Sequence, residues 1–181
     1  MPALALALLG FLSAAPPTAV ETPASREQAR LCEITVGEES LAACRRAIAL
    51  GLGPARLLPV RQIVARRLAA LEKWDELADH FRGDVALRPG DADAHLKLGT
   101  VLLFGLDRKS DALVHFRASI ALAPDVAMAH ALLAVALAAS DRVPEAAAEL
   151  DLAERLDAGL FGDRPALALV REAARRGEPW P

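Results

Sequence analysis

Residues 92–125 read ADAHLKLGTVLLFGLDRKSDALVHFRASIALAPD, and the order of small and large side chains in this stretch decides the fold. Gly99 is followed three residues later by Leu102, and after a polar break comes a second group, Ala112, Phe116 and Ser119. Downstream, Ala134 and Leu137 repeat the first pair, and Ala146, Leu150 and Ala153 repeat the second. Upstream, Ala65 and Leu68 stand in the same relation to Leu77, Phe81 and Asp84. The step from Ala65 to Gly99 is 34 residues and from Gly99 to Ala134 it is 35. Pro89, Pro124 and Ala158 each stand five residues beyond the last member of a cluster. A period of this length marks a helix-turn-helix unit. One unit cannot bury its apolar face alone, so copies must stack. A small residue such as Gly99 or Ala134 lets the two helices approach, while Leu102, Phe116 and their counterparts fill the space between them.

The composition agrees. Of 181 residues, 40 are Ala and 31 are Leu, aromatics make up 4%, and Tyr and Asn are absent. Such a chain favours helices and lacks the β-branched and aromatic content of strands, so an all-β fold is excluded. The 24 acidic and 21 basic side chains give a formal charge of −3, without the basic excess that a nucleic-acid-binding surface needs. The distribution is uneven. Residues 24–90 hold 11 basic and 9 acidic side chains, and residues 91–159 hold 6 and 11. The densest basic run is Arg56, Arg61, Arg66 and Arg67, which reads most simply as a solvated face.

The spacing resembles the tetratricopeptide repeat. The middle unit carries Leu98-Gly99, Leu102, Ala112, Phe116 and the closing Pro124; the next, from Ala127, keeps Leu133-Ala134, Leu137, Ala146, Leu150 and Ala153. The earlier unit, from about Leu58, keeps Val64-Ala65, Leu68, Phe81 and Pro89, but shows Leu77 and Asp84 where the family prefers small residues. The 35-residue step places one extra residue in the Phe104 to Ser110 turn. A degenerate unit is expected upstream, with helices over Ala29 to Thr35 and Ser40 to Leu50. The resemblance implies an all-α protein, an α-solenoid of about three to four helix-turn-helix units. The expected domains are a leader at 1–19, an N-terminal helical hairpin at 20–57 and an array at 58–158, divided at about 58–91, 92–126 and 127–158. Residues 159–181 supply a capping helix and a loose tail. In that helix Asp163 is the cap, Pro165 lies in the first turn, Leu167, Leu169 and Val170 pack, and Arg171, Arg175 and Arg176 lie near the basic end.

Met1 to Ala19 reads MPALALALLGFLSAAPPTA and resembles a secretory signal peptide, although no Lys or Arg precedes its apolar core. At roughly 13 residues that core is too short to span a bilayer, so no stable membrane span is expected once the leader is removed. The expected location is periplasmic or secreted, or cytoplasmic if the leader is not a signal. Cys32 and Cys44 lie twelve residues apart, about 18 Å on one straight helix and beyond disulfide reach. A break at Gly37 with a restart at Glu38-Glu39-Ser40 would bend the segment into a hairpin and bring the sulfurs together. Two readings stay open: a disulfide, or two small buried thiols in a helix interface.

The sequence carries no P-loop, no G-x-S-x-G, no H-E-x-x-H and no Cys cluster, so no catalytic residue, metal site or cofactor is assigned and an enzyme is not expected. His80, His95, His115 and His130 follow the repeat. His80 and His115 share one position and His95 and His130 another. In a stack, the second helix of one unit lies against the first helix of the next, which would bring His80 to His95 and His115 to His130. Repetition explains this spacing without any ligand.

Repeats of this family curve so that first helices line a concave side that holds peptides. Counted from the packing residues, that side carries Gln62, Arg66 and Ala69; Asp93, Leu96, Thr100 and Leu103; and Met128, Ala131, Val135 and Ala138. The lining is mostly apolar. Members that grip an acidic C-terminus use Lys and Asn on these helices, and this chain has no Asn; Arg66 alone could meet one acidic group. The expected function is a protein-interaction scaffold that takes an apolar or amphipathic segment of a partner protein or peptide. The alternative is a structural protein that self-associates, for example as a homodimer, without a separate ligand.

Overall fold

The computed structural model describes residues 21–162 and 164–178; the leader at 1–19 and the cap at Asp163 lie outside them. Among the described residues all regular structure is helical: α1 (Pro23–Ile34), α2 (Gly37–Ala49), α3 (Pro54–Ala70), α4 (Trp74–Leu87), α5 (Ala92–Thr100), a π-helical turn (Val101–Gly105), α6 (Lys109–Leu122), α7 (Ala127–Ala138), α8 (Val143–Leu156) and α9 (Pro165–Arg176). The chain divides into two compact bodies, with the boundary in α3 between Arg67 and Leu68.

In the first body, α1 begins at Pro23, six residues before the expected Ala29. Thr22 and Ser25 form a capping box, each side chain accepting the other's backbone N–H at 3.0 Å, and Pro23 at the first helical position loses no hydrogen bond. Glu38 and Glu39 lie in the first turn of α2, where the helix dipole favours negative charge. Gly37, the first residue of α2, has φ +62°, a left-handed value open to glycine. The hairpin closes as the bend at Gly37 requires. Cys32 and Cys44 form a disulfide with their Cα atoms 4.7 Å apart, buried among Ala29, Leu41, Ala43 and Ala47.

The second body is a stack of hairpins in which α5 packs on α4 and α6, and α7 packs on α6 and α8. The small and large residues that define the repeat are its core: Leu98, Gly99, Leu102, Ala112 and Phe116, then Leu133, Ala134, Leu137, Ala146, Leu150 and Ala153, all buried. Ser119, third in its cluster, is buried too and donates its hydroxyl to the Ala92 carbonyl at 2.9 Å. Each first helix ends in the same way. Glu72, Asp107 and Asp141 have φ of 53°, 50° and 58°, and the next residue's N–H turns back to the carbonyl of Leu68, Leu102 or Leu137 at 2.9, 2.7 and 2.9 Å. Short side chains such as Asp tolerate this left-handed state better than most. The basic residue that follows, Lys73, Arg108 or Arg142, pairs three positions on with Glu76, Asp111 or Glu145.

The extra residue of the middle unit is accommodated before the turn. The π-helical turn Val101–Gly105 widens the end of the first helix, with the Leu106 N–H bonded to the Val101 carbonyl at 3.2 Å. An insertion within a helix is commonly absorbed as one wide turn, and here it leaves the Asp107 reversal in the same form as its counterparts. Gly105 ends the wide turn against the Trp74 ring: a Cβ there would lie 2.9 Å from Trp74 Cδ2.

Helix α9 packs on α7 and α8. Leu167, Val170 and Ala174 form its buried stripe, whereas Leu169, expected to pack, is 70% exposed, because one residue is a rotation of about 100° away from Val170. Arg171 and Arg175 pair with Glu154, and the Arg171 guanidinium lies 4.6 Å from the centroid of the buried Phe161 ring, a cation–π contact.

Two stability measurements follow. In Gly99→Ala the new Cβ would fall 2.7 Å from Phe116 Cε1, so denaturant unfolding should show a loss of about 1–3 kcal/mol, while Gly90→Ala, with no heavy atom within 4 Å of the added carbon, should stay within about 0.5 kcal/mol of wild type. Replacing Cys32 and Cys44 together by Ala should cost about 3 kcal/mol by the chain-entropy model; equal midpoints for variant and oxidised wild type would remove the disulfide from the account of stability.

Candidate functional site

The side chains expected to face a partner come from α3, from α5 with its π turn, and from α7. In the first body Gln62 and Arg66 are exposed on α3. Arg66 lines a pocket of about 350 Å³ with Glu33, Ile63 and Arg67. Arg67 is held in place: its Nε donates to Ser40 Oγ at 3.1 Å and its Nη2 to the Thr35 carbonyl at 2.9 Å, and the Ser40 hydroxyl donates to the Cys32 carbonyl at 2.7 Å.

In the second body Asp93 and Leu96 open onto a pocket of about 580 Å³, together with Gly90, Asp91, Ala92, Ser119 and Val126. Asp91 caps α5 by accepting the N–H groups of Asp93 and Ala94 at 3.0 and 3.3 Å and pairs with Arg88; Asp93 pairs with Lys97. The acidic rim is thus largely neutralised, and the walls are Ala92, Leu96 and Val126. Thr100 is half-buried and donates its hydroxyl to the Leu96 carbonyl at 2.8 Å. Met128 is also half-buried.

Leu103, Ala131 and Val135 are placed differently. Their exposures are 6%, 0% and 3%, so within this body they are core. Ten of the twelve residues of α7 are buried, because α6, α8 and α9 all pack on it. The residue repetition marks α7 as a first helix but carries no information on how closely its neighbours sheathe it.

The histidines pair within a unit rather than between units. His95 Nδ1 lies 3.1 Å from His115 Nδ1, and His95 Nε2 lies 3.3 Å from the Pro89 carbonyl. The carbonyl only accepts, so His95 carries its proton on Nε2 and His115 donates from Nδ1. The same two positions in the next unit hold His130 and Glu149, 2.6 Å apart, with His130 Nε2 at 2.9 Å from the Pro124 carbonyl. The expected approach of His115 to His130 is therefore replaced: each faces the opposite helix of its own hairpin. His80 contacts Asp84 at 3.7 Å and the Phe81 ring edge. Among the described residues no group of three or more His, Cys, Asp or Glu could hold a metal ion, and no helix is long and apolar enough to cross a membrane.

Sequence reasoning missed two features of these sites. One is the clamp on Arg67, whose signal was the Thr35 and Ser40 pair flanking the Gly37 bend. The other is the repeated ion pair that opens each second helix, visible as Lys73/Glu76, Arg108/Asp111 and Arg142/Glu145.

No family model matches the chain, and no curated protein does. Solved structures do. The chain is similar to YrrB, a TPR protein with an unusual peptide-binding site, at 20% identity and a TM-score of 0.59, over 76% of this chain and 66% of that one. It is similar to MamA of MSR-1, at 18% identity and a TM-score of 0.59, over 74% and 75% of the two chains. It is also similar to the TPR2AB domain of yeast Sti1 in a pHSP90 complex, at 14% identity and a TM-score of 0.56, over 83% and 69%. At these identities the likeness establishes the fold.

Burial holds His115 below the usual histidine range. The neighbouring His95 and Arg82 add to this and Asp111 opposes it. The folded state therefore favours the neutral ring, and its contribution to stability is full above the unfolded value near 6.5 and is lost as pH falls from there through the lower folded value. Unfolding free energies at pH 7.5 and 5 should fall more for wild type than for His115→Gln, which keeps a donor for His95; parallel losses would refute the assignment.

Proposed function

With the tetratricopeptide-repeat fold as premise, we propose that the protein is a non-enzymatic interaction scaffold that binds an apolar or amphipathic segment of a partner protein. The observation that supports this reading is the pocket beside α5, where Asp93 and Leu96, two side chains expected on the inner face from the repeat alone, open together onto about 580 Å³ with Ala92 and Val126. An apolar wall behind a neutralised polar rim suits an amphipathic segment, whose apolar side chains bury while its backbone stays near the rim. YrrB and the Sti1 domain, which share the fold, support it: the first has a peptide-binding site and the second is in complex with pHSP90. His95, His115 and His130 hydrogen-bond inside their own hairpins.

Export belongs to the same proposal. The buried Cys32–Cys44 bond supports an oxidising compartment such as the periplasm or the exterior, in line with the signal-like leader.

Self-association is the second reading. Phe104, on the π turn, is 60% exposed, and a large solvent-facing aromatic side chain is common where proteins meet. The two are separated by one variant. Leu96→Glu should abolish binding of peptides selected from a random displayed library on the full chain, at least tenfold in affinity, while light scattering reports an unchanged mass. A change of mass without loss of selected peptides would favour self-association.

A further inference from the structure

We propose that the His95–His115 pair is an acid-sensitive latch on the pocket beside α5, and that the partner segment is released when both rings become charged. This rests on the scaffold reading above and adds a control to the same pocket. The latch lies directly under the pocket wall. His95 stands three residues after Ala92 and one before Leu96, and His115 stands four residues before Ser119; Ala92, Leu96 and Ser119 all line the pocket. The α5–α6 seam is therefore joined in successive turns, by the Ser119 hydroxyl on the Ala92 carbonyl at 2.9 Å and by the two imidazoles at 3.1 Å. On its other side His95 Nε2 holds the Pro89 carbonyl at 3.3 Å, and the next two residues, Gly90 and Asp91, belong to the pocket rim. One ring thus ties the rim loop, the first helix and the second helix together.

The latch responds to the second proton, not the first. In the neutral pair His95 donates from Nε2 to the Pro89 carbonyl, and its bare Nδ1 accepts the His115 Nδ1–H. One added proton leaves this bond intact, because a charged ring still donates to a neutral one. A second puts N–H groups on both facing nitrogens, 3.1 Å apart and with two positive charges, and the pair must part. The charged groups around it do not offset this. On α4 Arg82 acts on His115 and is paired with Asp79, while Asp84 is paired with His80. On α6 Asp111 is paired with Arg108, and around the start of α5 Asp91 is paired with Arg88 and Asp93 with Lys97. The π turn carries no ionisable side chain, and on α7 the one ionisable group, His130, bonds to Glu149. Burial already sets His115 below the usual histidine range, with His95 and Arg82 adding to the effect and Asp111 opposing it. The His95–Pro89 contact is exposed and the His95–His115 contact partly buried. His95 is therefore the ring with room to swing out, and the rim loop is released with it. In the next unit Glu149 faces His130 at 2.6 Å. A carboxylate accepts from the ring whether it is neutral or charged, so that pair has no such repulsion.

The test uses the full chain and a displayed random library lacking His, Asp and Glu. The strongest binder at pH 7.5 that is lost in Leu96→Glu is resynthesised with both ends capped, so that the peptide itself does not titrate. Its affinity for wild type should fall about tenfold between pH 7.5 and 5, as the competent fraction falls by that factor. The sign follows from the neutral pair, which is held above the ordinary histidine value near 6.5 and lost as pH falls below it. His115→Glu, which copies the His130–Glu149 pair, and His115→Gln, which can both donate to His95 and accept from it, should each fall less than about twofold. Amide hydrogen exchange over residues 90–96, corrected for the intrinsic effect of pH, should rise at pH 5 in wild type and stay level in both variants. An equal fall in affinity for wild type and variants, no fall in wild type, or exchange that does not rise in wild type overturns the latch and leaves the scaffold reading standing on Leu96→Glu. A library that yields no binder lost in Leu96→Glu overturns the scaffold reading and the release with it.

Discussion

A phenyl ring occupies the space that a side chain at residue 99 would need, and the α5–α6 hairpin depends on that close approach. Because Gly99 has no Cβ, the ring of Phe116 settles against the backbone of the first helix, and Leu98 and Leu102 close around it, all buried. The same separation brings His115 within hydrogen-bonding distance of His95 and the Ser119 hydroxyl to the Ala92 carbonyl. It also sets the shape of the pocket that Ala92, Leu96 and Ser119 line. In the next unit Ala134 plays the part of Gly99, facing the fully buried Ala146, Leu150 and Ala153. Packing at interior density leaves no room for a larger residue on one side without a smaller one on the other.

Given that contact, the turns must return the chain at a fixed height, and they do so by one device. A left-handed residue at Glu72, Asp107 or Asp141 reverses the chain, and an ion pair three residues long starts the next helix. The middle unit has one residue too many for this arrangement. Its π turn takes up the excess inside the helix, so the reversal and the ion pair keep their form. The excess emerges instead as the exposed Phe104 and as Gly105 under the Trp74 ring.

The fold was legible in the sequence because stacking depends on a few positions whose size is decisive, and Gly99, Leu102, Ala112 and Phe116 state it directly. The hairpin around Gly37 was legible for a similar reason: the bend and the restart together leave the two cysteines little choice of position. The site was less so. Leu103, Ala131 and Val135 occupy inner-face positions by register, yet they are buried, since exposure depends on how neighbouring helices cover a face and not on the face itself. The histidine pairs were assigned across units because only the order of helices was known; the contact across a hairpin depends on side-chain direction. The location of the extra residue had the same limit, because a wide helical turn leaves no mark in residue type, whereas loops carry polar and glycine residues.

Helix α9 has a consequence beyond covering α7 and α8. A repeat stack is an open series: the flank left by its last hairpin resembles every earlier flank and is fit to receive one more. Surfaces of that kind join head to tail and, unless the rotation closes a ring, grow without limit into filaments. Residues 165–176 receive that flank on Leu167, Val170 and Ala174 and turn Glu172, Arg175 and Arg176 to the solvent. The helix thereby covers the flank that the α7–α8 hairpin would otherwise offer to another hairpin.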